Sequence, residues 1–199
     1  MNVVMVDGGG SNIGSVRYAL QRIGVDAELT GDADAIRAAD RVILPGVGAA
    51  AEGMRKLRGH GLVEVLRALD KPLLGVCVGM QLLFDRSEED DVDCLGLLPG
   101  NVAKLAAGEG VRVPHMGWNT LHRRRESSLL EGIDEGAHAY FVHSYAAPVG
   151  DFSLASCEYG REFSAVVQQG NVAGAQFHPE RSSEVGSRLL KNFIEYGLA

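Results

Sequence analysis

The chain has only three cysteines in 199 residues and none at CxxC spacing. That excludes a disulfide framework or a cysteine-based zinc site and points to a reducing compartment. No apolar run reaches the roughly 18 residues a membrane helix needs. The opening MNVVMVD enters a strand without a basic n-region, so neither a membrane span nor a signal peptide is expected, and the setting read from the sequence is cytoplasmic. Cations are also in short supply. A net charge of -7 argues against nucleic acid or an anionic membrane as principal partner. The one basic run, Arg123 to Arg125, is followed at once by Glu126 and reads as a solvated turn. Internal repeats and low-complexity linkers are missing. The glycines Gly8 to Gly10 suggest a nucleotide loop, but GxGxxG fails at Ile13 and no GK[ST] follows, so no cofactor is expected and no metal site is read.

What is present is enough chain for one domain, 1–199, able to bury roughly 70% of its unfolded surface. The first half alternates strand and helix. Asn2 to Val6, Ala27 to Thr30, Arg41 to Leu44 and the run before Cys77 read as buried parallel strands. Helices are expected from Ser11 or Asn12 to Gly24, over Ala33 to Ala39, and through Ala49 to Leu69. After Phe84 the pattern changes. The acidic SEEDDVD (Ser87 to Asp93) reads as a solvated loop. NVAKL, GWNTL, HAYFVHSY, FSLASCEY, FSAVVQ and NVAGAQF read as antiparallel strands, before a closing helix from about Ser183. The expected fold is α/β: an open, mostly parallel, flavodoxin-like sheet flanked by helices, with an antiparallel extension.

The stretch GVCVGMQ, Gly75 to Gln81, lies between the apolar KPLL and QLLF, and QLLF can open a helix. Small residues around Cys77 at a strand-to-helix junction suit a nucleophile elbow, where the reactive residue sits in a strained turn; a helix start there would favour the thiolate. A lone cysteine in an apolar strand is otherwise an ordinary core residue. A distant base changes that reading. QFHPE ends the last strand, so His178 and Glu180 emerge together at a strand's C-terminal end, with Glu180 placed to orient the imidazole and His178 to exchange a proton with Cys77. LPGVG, at the end of the third strand, supplies glycine-freed backbone N–H groups that, with the amide of Val78, could form an oxyanion hole; by itself it would be read as a turn. His60 and His122 read as surface residues, His138 as a strand start, His143 as structural, and Cys94 and Cys157 as inert.

PGVG, GVCVGMQ and QFHPE, in this order and spacing, resemble the motifs of the class I, triad-type glutamine amidotransferases. VPHMGWN, YFVHSY and HPERSS are similar to the branch whose members act as glutaminase subunits in histidine biosynthesis. The resemblance implies hydrolysis of glutamine through a thioester on Cys77, with ammonia passed to a separate (β/α)8 cyclase subunit in a heterodimer. It implies a triad of Cys77, His178 and Glu180, and oxyanion donors at Gly46, Val47 and Val78. It also implies substrate contacts at Gln81, Glu89, Ser144 and Tyr145, and a partner face with Asn12, Pro114, His115, Met116, Trp118 and Arg181. Two departures stand out. Gly8 and Ser11 replace an aromatic and a glycine of the family's early DYGxGN pattern, and Arg181 stands where lysine is commoner. Glutaminases of the anthranilate, pyridoxal phosphate or guanylate pathways, a non-catalytic binding module and a stand-alone cysteine hydrolase are the competing readings.

Overall fold

Short β-branched and leucine-rich runs with no polar face can only be strands covered on both sides. The first half of the chain supplies several. The computed structural model describes residues 1–8, 13–46 and 48–198. Its first part runs β1 (Val3–Val6), α1 (Ile13–Arg22), β2 (Glu28–Thr30), α2 (Ala33–Ala38), β3 (Arg41–Gly46), α3 (Ala50–Gly59), α4 (Val63–Arg67), β4 (Leu73–Cys77) and α5 (Val78–Gln81). The second part runs β5 (Phe84–Ser87), β6 (Val92–Asp93), β7 (Leu98–Lys104), β8 (His115–Thr120), β9 (His122–Arg123), β10 (His138–His143), β11 (Tyr145–Ala146), β12 (Ser153–Tyr159), β13 (Arg161–Gln169), β14 (Val172–Ala175) and α6 (Ser183–Tyr196).

Among the described residues, eight strands form one sheet in the order β2-β1-β3-β4-β14-β13-β12-β9. The β2, β1, β3, β4 and β14 strands are parallel, and β13, β12 and β9 continue the sheet antiparallel. This is the expected mostly parallel sheet with an antiparallel extension. The strands β10 and β8 pair separately, as do β11, β7, β5 and β6. The core is continuous across these pieces, from Met5, Leu20 and Ile43 to Phe141, Phe163 and Phe193, all completely buried.

Local chemistry accounts for the element ends. The Asp32 carboxylate accepts from the N–H groups of Asp34 and Ala35 and starts α2, as an N-cap acid should. In α6, Leu189, Leu190, Phe193 and Ile194 form one buried stripe.

The structure departs from the sequence reading in several places. The helical stretch from Ala49 to Leu69 is two helices, because Gly61 takes φ +68° and reverses the chain between them. The QLLF segment does not open a helix. The α5 turn starts at Val78 and is over by Gln81, and Phe84 begins a strand whose ring packs edge-on to Phe152. Ser87 is fully buried, and Val92 and Asp93 pair with β5, so the acidic run is only partly a solvated loop. Arg123 belongs to β9 rather than to a turn. Most consequential is NVAGAQF: β14 runs antiparallel to β13 but parallel to β4, inside the sheet. Periodicity along one strand cannot reveal which neighbour it joins. The expected helix start at Ser11 or Asn12 falls outside the described residues, where α1 is seen from Ile13.

Candidate active site

The β4 strand is buried at every position and ends on Cys77, whose backbone stands at φ 55°, ψ -114° before α5 begins. A side-chain-bearing residue occupies that region only where the surroundings force it, and such strain concentrates at reactive positions. The surroundings here are glycines. A Cβ on Gly79 would lie 1.9 Å from the carbonyl oxygen of Leu44, and one on Gly46 would lie 2.4 Å from the amide nitrogen of Gly79. Backbone therefore packs directly on backbone, which holds the β4–α5 junction against the end of β3. Gly46 is in ladder register with Cys77.

On the other side, Gly174 and Ala175 of β14 are in register with Gly75 and Val76, so the residues that follow β14 emerge beside Cys77. His178 starts a short 3₁₀ turn, Pro179–Arg181. Its backbone is held from two directions. The His178 N–H donates to the Tyr140 carbonyl at 2.9 Å, and the Ser182 hydroxyl donates to the His178 carbonyl at 2.7 Å. The ring Nδ1 lies 2.9 Å from Oε1 of Glu180, and both side chains are almost completely buried. Burial alone would depress the imidazole's pKa. Hydrogen bonds and charge pairing with Cys77 and Glu180 outweigh burial and raise the value to about 10. The ring therefore stands between a sulfur and a carboxylate, the arrangement of a nucleophile, its base and an orienting acid.

This junction opens into a cavity of about 420 Å³, lined among others by Gly48, Val78, Gln81, Glu89, Ser144 and Tyr145. Glu89 accepts the N–H of Ala50, the first residue of α3, at 2.8 Å, and burial pushes its carboxyl pKa up. That bond ties the cavity's acid to the helix directly downstream of the PGVG segment. Gln81 donates its amide N–H groups to the Tyr145 carbonyl at 2.9 Å and to Oε1 of Gln176 at 3.0 Å, leaving its own carbonyl oxygen as the remaining polar atom. Cys94 and Cys157 lie elsewhere, with pKa values pushed by burial up to about 11 and about 12.

The class I glutamine amidotransferase family model matches residues 4–196. The chain belongs to that family. It is 60% identical over 194 residues to a protein named imidazole glycerol phosphate synthase subunit HisH from Xanthomonas euvesicatoria pv. vesicatoria, covering 98% of this chain and 97% of that one. It is 57% identical over 197 residues to the protein of the same name from Xylella fastidiosa, covering 99% and 98%. Among solved structures, one titled glutamine amidotransferase superposes with a TM-score of 0.77 at 23% identity, covering 99% of both chains. A chain of PurLQS from Thermotoga maritima superposes with a TM-score of 0.71 at 20% identity, covering 98% of both chains. At those identities the solved structures establish the fold.

Most residues that the sequence marks in this amidotransferase come together around the cavity. Cys77, His178, Val78, Gln81, Glu89, Ser144 and Tyr145 all line it, as do Pro114 and Arg181. Val47 and Asn12 lie outside the described residues. Beside the cavity mouth, Met116 and Trp118 are 64% and 52% exposed, Trp118 stands edge-on to Tyr140, and the Arg181 guanidinium lies 5.7 Å from the Tyr140 ring centre. His115 is a correction. The resemblance groups it with the partner face, but strand alternation turns it inward, and it stacks on Phe141 and Tyr159 with 2% of its surface exposed. Sequence reasoning missed Tyr140, Ser182 and Gln176. The available signal for Gln176 is a polar residue inside an otherwise apolar strand end.

Proposed function

We propose that the chain is the glutaminase subunit of an imidazole glycerol phosphate synthase, acting as one domain over residues 1–199. The single observation that carries the chemistry is the buried His178–Glu180 pair at 2.9 Å, with His178 facing the same cavity as Cys77 at the strained end of β4. In this reading the Cys77 sulfur attacks the side-chain carboxamide carbon of glutamine. The oxyanion is met by the Val78 N–H, which opens α5 without an intrahelical acceptor, and by the backbone of the Gly46–Val47 segment. His178 gives its proton to the departing amine, releasing ammonia and leaving a thioester. It then takes a proton from water as that water cleaves the thioester to glutamate and restores Cys77. Glu180 holds the ring so that its other nitrogen faces the sulfur.

Glu89 supplies a carboxylate for the substrate's ammonium group. Gln81, Ser144 and Tyr145 supply the remaining polar contacts, in a cavity large enough for one amino acid. The high identity to proteins named as synthase subunits supports a partner subunit, which we assign as a (β/α)8 cyclase docked on the face carrying Pro114, Met116, Trp118 and Arg181. Ammonia then passes to that subunit for the synthesis of imidazole glycerol phosphate. Asn12, which the resemblance groups with this face, lies outside the described residues.

The test is glutamine hydrolysis by the purified chain, alone and with the cyclase and its ribonucleotide ligand. Turnover is expected to be low alone and to rise in the complex. Hydrolysis that ignores the cyclase would remove the assignment to this synthase, and hydrolysis by a Cys77→Ala protein in the complex would remove the nucleophile assignment.

A further inference from the structure

One buried glutamine beside the reactive sulfur has no part in the chemistry above. Gln176, completely buried, points its Nε2 at the Cys77 sulfur at 4.0 Å. Which end of an amide faces a neighbour must be decided by the bonds around it, and here those bonds leave no choice. The Tyr145 carbonyl can only accept, so the Gln81 end facing it is its NH2. The second N–H of that NH2 reaches Gln176 at 3.0 Å, so the Gln176 end meeting it is the carbonyl, and the NH2 of Gln176 faces sulfur.

The same carbonyl fixes a second arm. Tyr145 accepts from Nδ1 of His143 at 2.8 Å, so His143 Nε2 is an acceptor and takes the Nδ1–H of His115 at 3.0 Å. Nε2 of His115 is then the acceptor for Nδ2 of Asn119 at 3.3 Å. Asn119 is oriented independently, since its carbonyl oxygen accepts the Thr120 N–H at 2.8 Å. Both ends of the array therefore demand the same polarity. A hydrogen-bonded series runs from β8, whose outward side chains are Met116 and Trp118, to the sulfur of Cys77, with Gln176 as its last member.

We propose that Gln176 is a positioning residue that donates to the Cys77 sulfur and is held in that orientation by Gln81, which the Tyr145 carbonyl orients in turn. This rests on the reading of Cys77 as nucleophile. A donor at sulfur favours the thiolate over the thiol and restricts where the sulfur can lie. In a chain folded around an apolar strand end, a glutamine with no such task would be readily replaced by leucine or methionine of similar volume.

The experiment is the rate of Cys77 alkylation by iodoacetamide as a function of pH, in the full chain. The titratable and charged groups lining the cavity or beside the sulfur, His178, Glu180, His143, Tyr145, Glu89 and Arg181, and the Val142 carbonyl that accepts from the Cys77 thiol at 3.9 Å, are the same in every variant, so a change reports position 176. Gln176→Glu keeps the shape and the bond from Gln81 but turns a like charge toward the thiolate, and the midpoint of the profile is expected to rise by about one unit or more. Gln176→Met keeps the volume and removes the donor, and alkylation at neutral pH is expected to slow by about tenfold. Melting curves establish that each variant is folded, and Gln176→Met decides the matter if Gln176→Glu does not fold. Profiles coinciding with the unmodified chain would overturn the proposal. A chain whose Cys77 is not alkylated, or which still hydrolyses glutamine after alkylation, would instead overturn the reading of Cys77 as nucleophile.

Discussion

Nδ1 of His115 lies 3.0 Å from Nε2 of His143, and both rings are buried, so the two histidines share one proton-donating and one accepting nitrogen as neutral rings. Burial lowers the pKa of His115 to about 4 and that of His143 to about 3. In the unfolded chain both titrate near 6.5. The unfolded state therefore binds more protons as pH falls below about 6.5, and stability, complete above that value, declines toward pH 4. We expect the stability of the chain to fall by about 2 to 5 kcal/mol between pH 7 and 4.5. The double variant His115→Phe, His143→Phe should lose much of that slope whatever its stability at pH 7. Chemical denaturation across this range makes the measurement, and an unchanged slope would contradict it.

His178 gives the opposite sign. Its pKa is raised to about 10, so the stability it contributes is complete below about 6.5 and is lost as pH climbs toward 10. Glu180→Gln removes one of the partners that raise it. The variant should lose less stability than the parent between pH 7 and 10, while glutamine turnover falls by about 10² or more, because the imidazole loses the carboxylate that orients it. Turnover within a few-fold of the parent would show that Glu180 does not orient the ring.

Glycine substitutions should separate sharply. Gly79→Ala would put a methyl group 1.9 Å from the Leu44 carbonyl oxygen, so either the junction at Cys77 shifts or the chain fails to fold, at a cost of about 3 kcal/mol or more. Gly14→Ala meets nothing within 4 Å on an exposed part of α1 and should stabilise the chain by about 0.5 to 1 kcal/mol. Thermal melts of the two proteins decide this, and a tolerated Gly79→Ala would refute the steric account of the elbow.

The three thiols should differ in reactivity. Cys77 opens on the cavity, whereas burial raises Cys94 to about 11 and Cys157 to about 12. Mass spectrometry after brief native labelling should find modification at Cys77 and almost none at the other two. Equal labelling would mean that the fold opens on the labelling timescale.

Much of this is readable in the residues themselves. The buried runs of β1, β3 and β4 carry their parallel character in composition, and Cys77, His178 and Glu180 are marked by small or rigid neighbours that a turn requires. What could not be read is relational. The inward turn of His115 depends on which face of β8 meets Phe141 and Tyr159, and the use of Gln176 depends on Gln81, 95 residues away in sequence. The short span of α5 escaped because Leu82, Leu83 and Phe84 suit a helix as well as a buried strand, and the choice was made by β7, which pairs with β5.

The place of β14 in the sheet sets an order of events during synthesis. The strand that lies against β4 and leads to His178 is synthesised after every other described strand, and until it arrives β4 presents an unpaired edge in the middle of what will become the core. A nascent chain thus carries Cys77 before His178 exists to stand beside it, and the two meet only when the sheet is completed. Chains that stop before β14 are therefore expected to aggregate more readily than the longer chain, through the open edge of β4, and to lack the pairing of Cys77 with His178.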